Sequence, residues 1–86
     1  MQASHGVAVV LDDDLLAFNR VIGVVRRRNL PVAGITVGPT ERPGELRLAF
    51  FLQADDGSAE RLLRQLEKTH GVHAVTLVPQ PSEAVP

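Results

Sequence analysis

The chain has 86 residues, of which 44% are hydrophobic and 22% charged, and its net charge is −1. This length suffices for one small domain. The near-zero net charge gives no sign of a basic surface that would bind nucleic acid or an anionic membrane. The absence of cysteine excludes disulfides, thiolate zinc sites and thiol nucleophiles. No apolar stretch approaches the roughly 18 residues needed to span a bilayer. We therefore expect a cytoplasmic protein without a nucleic-acid or membrane partner.

The first elements of the chain are a predicted strand and a predicted helix. Residues 7–11 form a short apolar run rich in β-branched side chains, which is typical of a buried strand. The three aspartates at 12–14 offer N-cap candidates and suit the positive end of a helix dipole. The apolar stripe predicted for this helix consists of Leu15, Phe18, Ile22 and Val25.

The end of this helix is marked by charge and by turn chemistry. Three arginines at 26–28 suit the negative end of the dipole, and Asn29 can take the left-handed position that follows a helix. Pro31 forbids continuation. Residues 32–38 then predict a second strand, and the Gly- and Pro-rich residues 38–44 predict a turn.

The second half of the chain repeats the sequence strand, helix, strand. In the predicted third strand, Leu46, Leu48, Phe50 and Leu52 alternate with Arg47, Ala49, Phe51 and Gln53. Residues 55–58 break this strand and offer caps for a second helix. The apolar stripe predicted for that helix consists of Ala59, Leu62, Leu63 and Leu66. Gly71 is its predicted stop, and residues 72–78 predict the last strand.

The order βαββαβ predicts an α+β, ferredoxin-like domain over residues 1–79, followed by a flexible tail over residues 80–86. Right-handed crossovers place both helices on one face of a four-stranded antiparallel sheet, with strands one and three in the centre. The opposite face should then carry the apolar side chains Ala8, Val10, Ala49 and Phe51. This pattern favours self-association over a half-exposed monomer.

The resemblance to a known family rests mainly on residues 26–41, which read RRRNLPVAGITVGPTE. They are similar to the ACT-domain regulatory small subunit of acetolactate synthase, which carries an arginine-rich helix end, a short edge strand and a Gly-Pro-Thr-Glu turn. His5 and the strand after it fall in that family's register without a gap. Residues 65–68 and 72–75 also resemble the sequences of that family, so the resemblance covers nearly the whole chain.

The resemblance implies a non-catalytic regulatory subunit in branched-chain amino acid biosynthesis. Such subunits raise the activity of a thiamine-diphosphate-dependent large subunit, so no cofactor, metal or catalytic residue is expected in this chain. ACT domains of this family pair through the second strand into an eight-stranded sheet, and a feedback effector, typically valine, binds at the dimer interface. The implied dimer strand contains Val32, Gly34, Ile35, Thr36 and Val37.

The chain departs from the family in the effector loop. The family has an Asn in that loop and a Gly that opens the helix, and these positions here are Asp13 and Leu16. A second family Asn is Pro31 here, which has no N–H to donate. The effector-loop positions by resemblance are Asp13, Leu16, Ala17, Phe18, Asn29, Pro31 and Val32. An aspartate ~5 Å from an incoming carboxylate costs about 3 kcal/mol at an effective dielectric near 20. We therefore expect valine feedback to be lost or altered.

Other polar groups have a structural interpretation beside the functional one. The three aspartates at 12–14 could bind a divalent cation or repel an effector, but helix capping accounts for them more simply. His70 and His73 lie across a helix end without a third ligand in register, which argues against zinc. Ser58 has no histidine nearby in sequence to act as a base for nucleophilic catalysis.

The residues that could contact a partner are Arg20, Arg26, Arg27, Arg28 and Phe51. For the arginines, the alternative is a solvated helix end.

Other functions that occur on the same topology need residues that this chain does not have. An acylphosphatase-like enzyme needs a Gly-rich phosphate loop with an Arg, where this chain has three aspartates. An RNA-recognition module needs stacking aromatics on strands one and three, and strand one has none here. A metal carrier needs Cys-x-x-Cys, and this chain has no cysteine. The alternative that stays open is a stand-alone ACT domain that senses another amino acid or serves as a dimerisation module.

Overall fold

A computed structural model describes residues 3–78, which form a four-stranded antiparallel sheet with two helices. The elements are β1 (Ala3–Asp12), α1 (Leu15–Arg28), β2 (Val32–Pro39), β3 (Glu45–Ala54), α2 (Asp56–Glu67) and β4 (Val72–Val78). The strand order β2-β3-β1-β4 confirms the predicted fold, with β1 and β3 in the centre. The predicted tail lies outside the described residues.

The period of two in β1 and β3 decides which side chains meet the helices. Val7 pairs with Phe50 and Val9 with Leu48, and all four side chains are buried in one core with both helices. This confirms the predicted inner face of β3. Of the predicted outer face, Ala8 is buried, and its partners on the two neighbouring strands are Ala49 and Thr76. The other three outer side chains are half-buried: Val10, Ala49 and Phe51.

Helix α1 has the predicted ends but a different buried face. Asp14 is the N-cap, and Asn29 is the C-cap with φ 54 and ψ 39, in the left-handed region. The fully buried side chains of α1 are Ala17, Val21 and Val24, whereas the predicted Phe18, Ile22 and Val25 flank them. The prediction for Leu15 was wrong, because this side chain is 74% exposed. Helical side chains lean toward the N-terminus, so the first residue of a helix projects past the turn that would bury it.

Helix α2 has the predicted apolar stripe but ends earlier than expected. Ala59, Leu62 and Leu66 are buried, and the helix ends at Glu67 rather than just before Gly71. The Thr69 hydroxyl donates to the carbonyl of Gln65 (2.9 Å), which lies in the last turn of the helix. Gly71 serves a different purpose: its φ is +94, and a Cβ there would lie 2.8 Å from the Cβ of Ala17. Gly71 therefore lets the start of β4 approach α1.

A β-bulge in β2 was not predicted. The pairing with β3 shifts between Ala33 and Thr36, so β2 has one extra residue there. Gly34 has φ +63, which is the conformation that glycine adopts in such bulges. The site of its missing side chain is taken by Phe51, whose ring lies 2.9 Å from where a Cβ would stand. The bulge changes which residues of β2 face the helices, and Ile35 joins the helix side.

Candidate functional site

The loop between β1 and α1 holds the first group of predicted effector positions. The backbone N–H groups of Leu16 and Ala17 donate to Oδ1 of Asp14, at 2.8 and 3.1 Å. The Asp13 N–H donates to the Gly44 carbonyl at 2.9 Å, and the Phe18 N–H donates to the Asp14 carbonyl at 3.1 Å. Four amides at this helix start, those of Asp13, Leu16, Ala17 and Phe18, therefore already have acceptors within the chain.

The second group of effector positions lies at the other end of α1. Asn29 caps the helix, and the exposed Pro31 accepts a hydrogen bond at its carbonyl from the Gln53 N–H (3.0 Å). Because α1 has 14 residues, its two ends are about 21 Å apart. One protomer thus does not bring Asp13 and Leu16 together with Pro31 and Val32. A site that used both groups would need two protomers.

Strand β2 lies at one edge of the sheet and carries exposed apolar side chains. It has no charged residue, and Ile35 and Val37 are 56% and 48% exposed. Charged side chains normally protect such an edge from pairing with another chain. A groove of about 370 Å³ runs beside it, lined by Ile22, Val25, Arg26, Asn29, Leu30, Val32 and Ile35. The edge and the groove form one largely apolar surface, with Arg26 and Asn29 as its polar residues, which we call the β2 surface.

The predicted partner contacts fall into different environments. Nε and Nη2 of Arg28 donate to Oε1 of Gln65, at 3.0 and 2.7 Å, so Arg28 joins α1 to α2. Arg26 lines the groove of the β2 surface. Arg20 and Arg27 are exposed on α1. Phe51 lies on the outer face of the sheet against Gly34, away from the groove.

An ionic cluster at one end of the sheet was missed by the sequence analysis. His73 of β4 contacts Asp12 at 2.6 Å through Nε2 and Glu45 at 2.9 Å through Nδ1. The Thr40 hydroxyl donates to Oε1 of Glu45 at 2.7 Å. The hydrogen bonds from His73 and Thr40 lower the pKa of Glu45, and the two carboxylates raise the pKa of His73. Glu45 and Asp12 lie 28 and 61 positions before His73 along the chain, so no local motif contains them. Only the pairing of the strands brings these residues together.

A comparison with protein families decides the family. Residues 13–75, which include both helices and the β2 surface, match the ACT domain model. The chain belongs to the ACT domain family.

Among named relatives of this ACT domain is a probable acetolactate synthase small subunit from Archaeoglobus fulgidus. It is 34% identical over 64 residues, which cover 74% of this chain and 40% of that protein. A solved acetolactate synthase small subunit from Thermotoga maritima is 30% identical with a TM-score of 0.81, covering 93% of this chain and 50% of that one. The chain thus spans about half the length of these relatives or less.

A more distant structure supports the fold alone. The ACT domain of a GTP pyrophosphokinase from Chlorobium tepidum has a TM-score of 0.79 at 18% identity, covering 91% of this chain and all of that one.

Within residues 3–78, neither helix is long and apolar enough to cross a membrane. In the same range, no three His, Asp or Glu side chains are arranged to hold a metal ion.

Proposed function

We propose that this ACT domain is a non-catalytic regulatory subunit that activates a thiamine-diphosphate-dependent acetolactate synthase large subunit, in the cytoplasm. The similarity to two acetolactate synthase small subunits, at 34% and 30% identity, supports this function over a stand-alone sensor. The observation that carries the assembly is the β2 surface, an uncharged edge strand beside a largely apolar groove.

The proposed subunit is a dimer in which β2 pairs with β2 of a second copy. In a two-fold antiparallel pair, the start of one strand lies beside the end of the other. Pro39 ends β2 at the same end of the sheet as Asp12, since Pro39 pairs with Leu46 and Asp12 with Glu45. Pairing would therefore bring Pro31 of a second copy toward the start of α1. The two groups of effector positions would meet across the interface.

The proposed dimer has lost feedback by branched-chain amino acids. The Asp14 carboxylate already accepts from the amides that a ligand carboxylate would need. Leu16, 66% exposed, adds a bulky side chain where the family has glycine. The neighbouring Asp13 is exposed and would repel a second anion. Isothermal titration with valine, leucine and isoleucine should give no binding at millimolar concentration, and millimolar or tighter binding would contradict the loss.

Co-expression with the acetolactate synthase large subunit of the same organism tests activation. The wild-type chain should co-purify with it and raise acetolactate formation per large subunit. Ile35→Lys should give a monomer in size-exclusion chromatography, since it places a charge on the β2 surface, and should reduce the activation. Leu77→Lys is the matched control, because Leu77 is 58% exposed on the other edge strand. A wild-type dimer that neither binds the large subunit nor changes its turnover would favour the stand-alone module.

A further inference from the structure

His73 bridges three parts of the sheet that are distant in sequence. It lies on β4, while Asp12 ends β1 and Glu45 begins β3. The Glu45 side chain is 13% exposed, and those of His73 and Asp12 are about half exposed, at 43% and 45%. Solvent protons therefore reach the imidazole, while Glu45 is held in a sheltered position by Thr40.

The geometry specifies the charge state of the ring. An ionised carboxylate can only accept hydrogen bonds, and a neutral imidazole has one N–H. Both ring nitrogens of His73 face carboxylate oxygens at hydrogen-bonding distance, so the two bonds exist together only in the imidazolium. When the ring loses a proton, one nitrogen becomes an acceptor facing an acceptor, and one of the two contacts is lost.

Backbone hydrogen bonds next to these side chains anchor the loop between β1 and α1. The Asp12 N–H donates to the Gly71 carbonyl, two residues before His73, at 2.9 Å. The Asp13 N–H donates to the carbonyl of Gly44, the neighbour of Glu45, also at 2.9 Å. The side chain of His73 thus adds two contacts to the two backbone bonds that hold the loop to the starts of β3 and β4.

We propose that His73 is a proton-operated clasp: the protonated ring links Asp12, at the start of the β1–α1 loop, to Glu45 of β3, and the loss of one of these contacts as the pH rises loosens the loop. The clasp lies within one protomer and requires no partner or ligand. The charged groups around it are Asp12 from β1, Glu45 from β3, Arg42 from the β2–β3 turn and Glu67, which lines the same groove from the end of α2.

The sign of the pH dependence follows from the two shifted groups. Glu45 and Asp12 raise the pKa of His73 above its ordinary 6.5, so the His73 contribution to stability is complete below pH 6.5 and is lost as the pH rises through the higher folded value. The hydrogen bonds from His73 and Thr40 lower the pKa of Glu45 below its ordinary 4.5. The Glu45 contribution is therefore complete above pH 4.5 and is lost as the pH falls through the lower folded value.

NMR of the histidine rings and amide hydrogen exchange test the clasp in the full chain. At pH 6, both ring nitrogens of His73 should carry protons, and the amides of Asp12, Asp13 and Asp14 should be protected. Above the pKa of His73, this protection should fall after correction for the intrinsic exchange rate. His73→Gln should remove the pH-dependent change, and the matched control, His70→Gln, should keep it, since His70 is exposed outside the cluster.

A second pair of variants keeps the test decisive if His73→Gln does not fold. Asp12→Asn and Glu45→Gln each replace an ionised acceptor with a neutral amide, so each should lower the measured pKa of His73 toward 6.5. The proposal is overturned if the wild-type ring is neutral at pH 6. It is also overturned if loop protection does not follow the titration of His73, or if neither carboxylate variant lowers its pKa.

Discussion

The three consecutive aspartates at the start of α1 have three different environments. Asp12 contacts His73, Asp13 is exposed, and Asp14 caps the helix. Capping was predictable from residue type, because aspartate before an apolar helix stripe is a standard N-cap. The contact of Asp12 was not predictable, because His73 is 61 positions away. At the scale of the residue, the local contacts follow from the sequence and the distant ones do not.

The capping assignment predicts a difference between neighbouring aspartates. Asp14→Ala should lower the free energy of unfolding by about 1 kcal/mol, because two amides of the first turn lose their acceptor. Asp13→Ala should change it by less than about 0.5 kcal/mol, since the exposed Asp13 side chain is replaced while its N–H keeps the Gly44 carbonyl. Urea denaturation at pH 7 measures both, and equal effects would contradict the assignment.

At the scale of the element, alternation in a strand was a better guide than periodicity in a helix. The period of two in β3 has two phases, and the apolar residues select one. In α1, apolar residues cover a wide arc, so the stripe beginning at Leu15 and the stripe through Ala17, Val21 and Val24 both fit the sequence. The sheet selects the second, in which small and β-branched side chains pack against the core.

This buried face can be measured by two truncations in α1. Val21→Ala should cost about 2 kcal/mol of unfolding free energy, because Val21 is fully buried and the truncation leaves a cavity. Leu15→Ala should cost less than about 0.5 kcal/mol, although it removes more atoms, because Leu15 is 74% exposed. Chemical denaturation in the Ile35→Lys background removes any contribution from association. A larger effect at Leu15 would restore the stripe predicted from the sequence.

The bulge in β2 was unpredictable for a related reason. Gly34 has the backbone freedom that a bulge requires, but glycine also occurs in regular strands and turns. In the structure, the ring of Phe51 occupies the space where a side chain at position 34 would stand, so only glycine fits there. That contact depends on the pairing of β2 with β3, which the sequence predicts in order but not in register.

At the scale of the whole molecule, the helices cover one face of the sheet and leave two edges. A chain of this size buries a limited share of its surface, so an added interface strengthens a small core. The two edges differ in character: β2 is uncharged, whereas β4 carries His73 and its carboxylate contacts. This asymmetry favours β2 as the edge that pairs.

Dimerisation through β2 predicts a concentration-dependent stability. The Tm of the wild-type chain should rise with protein concentration, because mass action favours the folded dimer over unfolded monomers. Ile35→Lys should lose this dependence, and Leu77→Lys should retain it. Differential scanning calorimetry over a hundredfold dilution provides the measurement. A wild-type Tm that stays constant over this range would indicate a monomer.

The carboxylate of Asp14 has a consequence for how such a subunit is controlled. The Asp14 carboxylate is held by the chain beside the amides of Leu16 and Ala17, so its effective concentration there is high and constant. A metabolite carboxylate would have to displace it to bind the same amides. Under the proposed function, the signal reaching the catalytic partner does not follow the level of end product. The activity of that partner would then depend on how much of the subunit is bound to it, and not on the concentration of an effector.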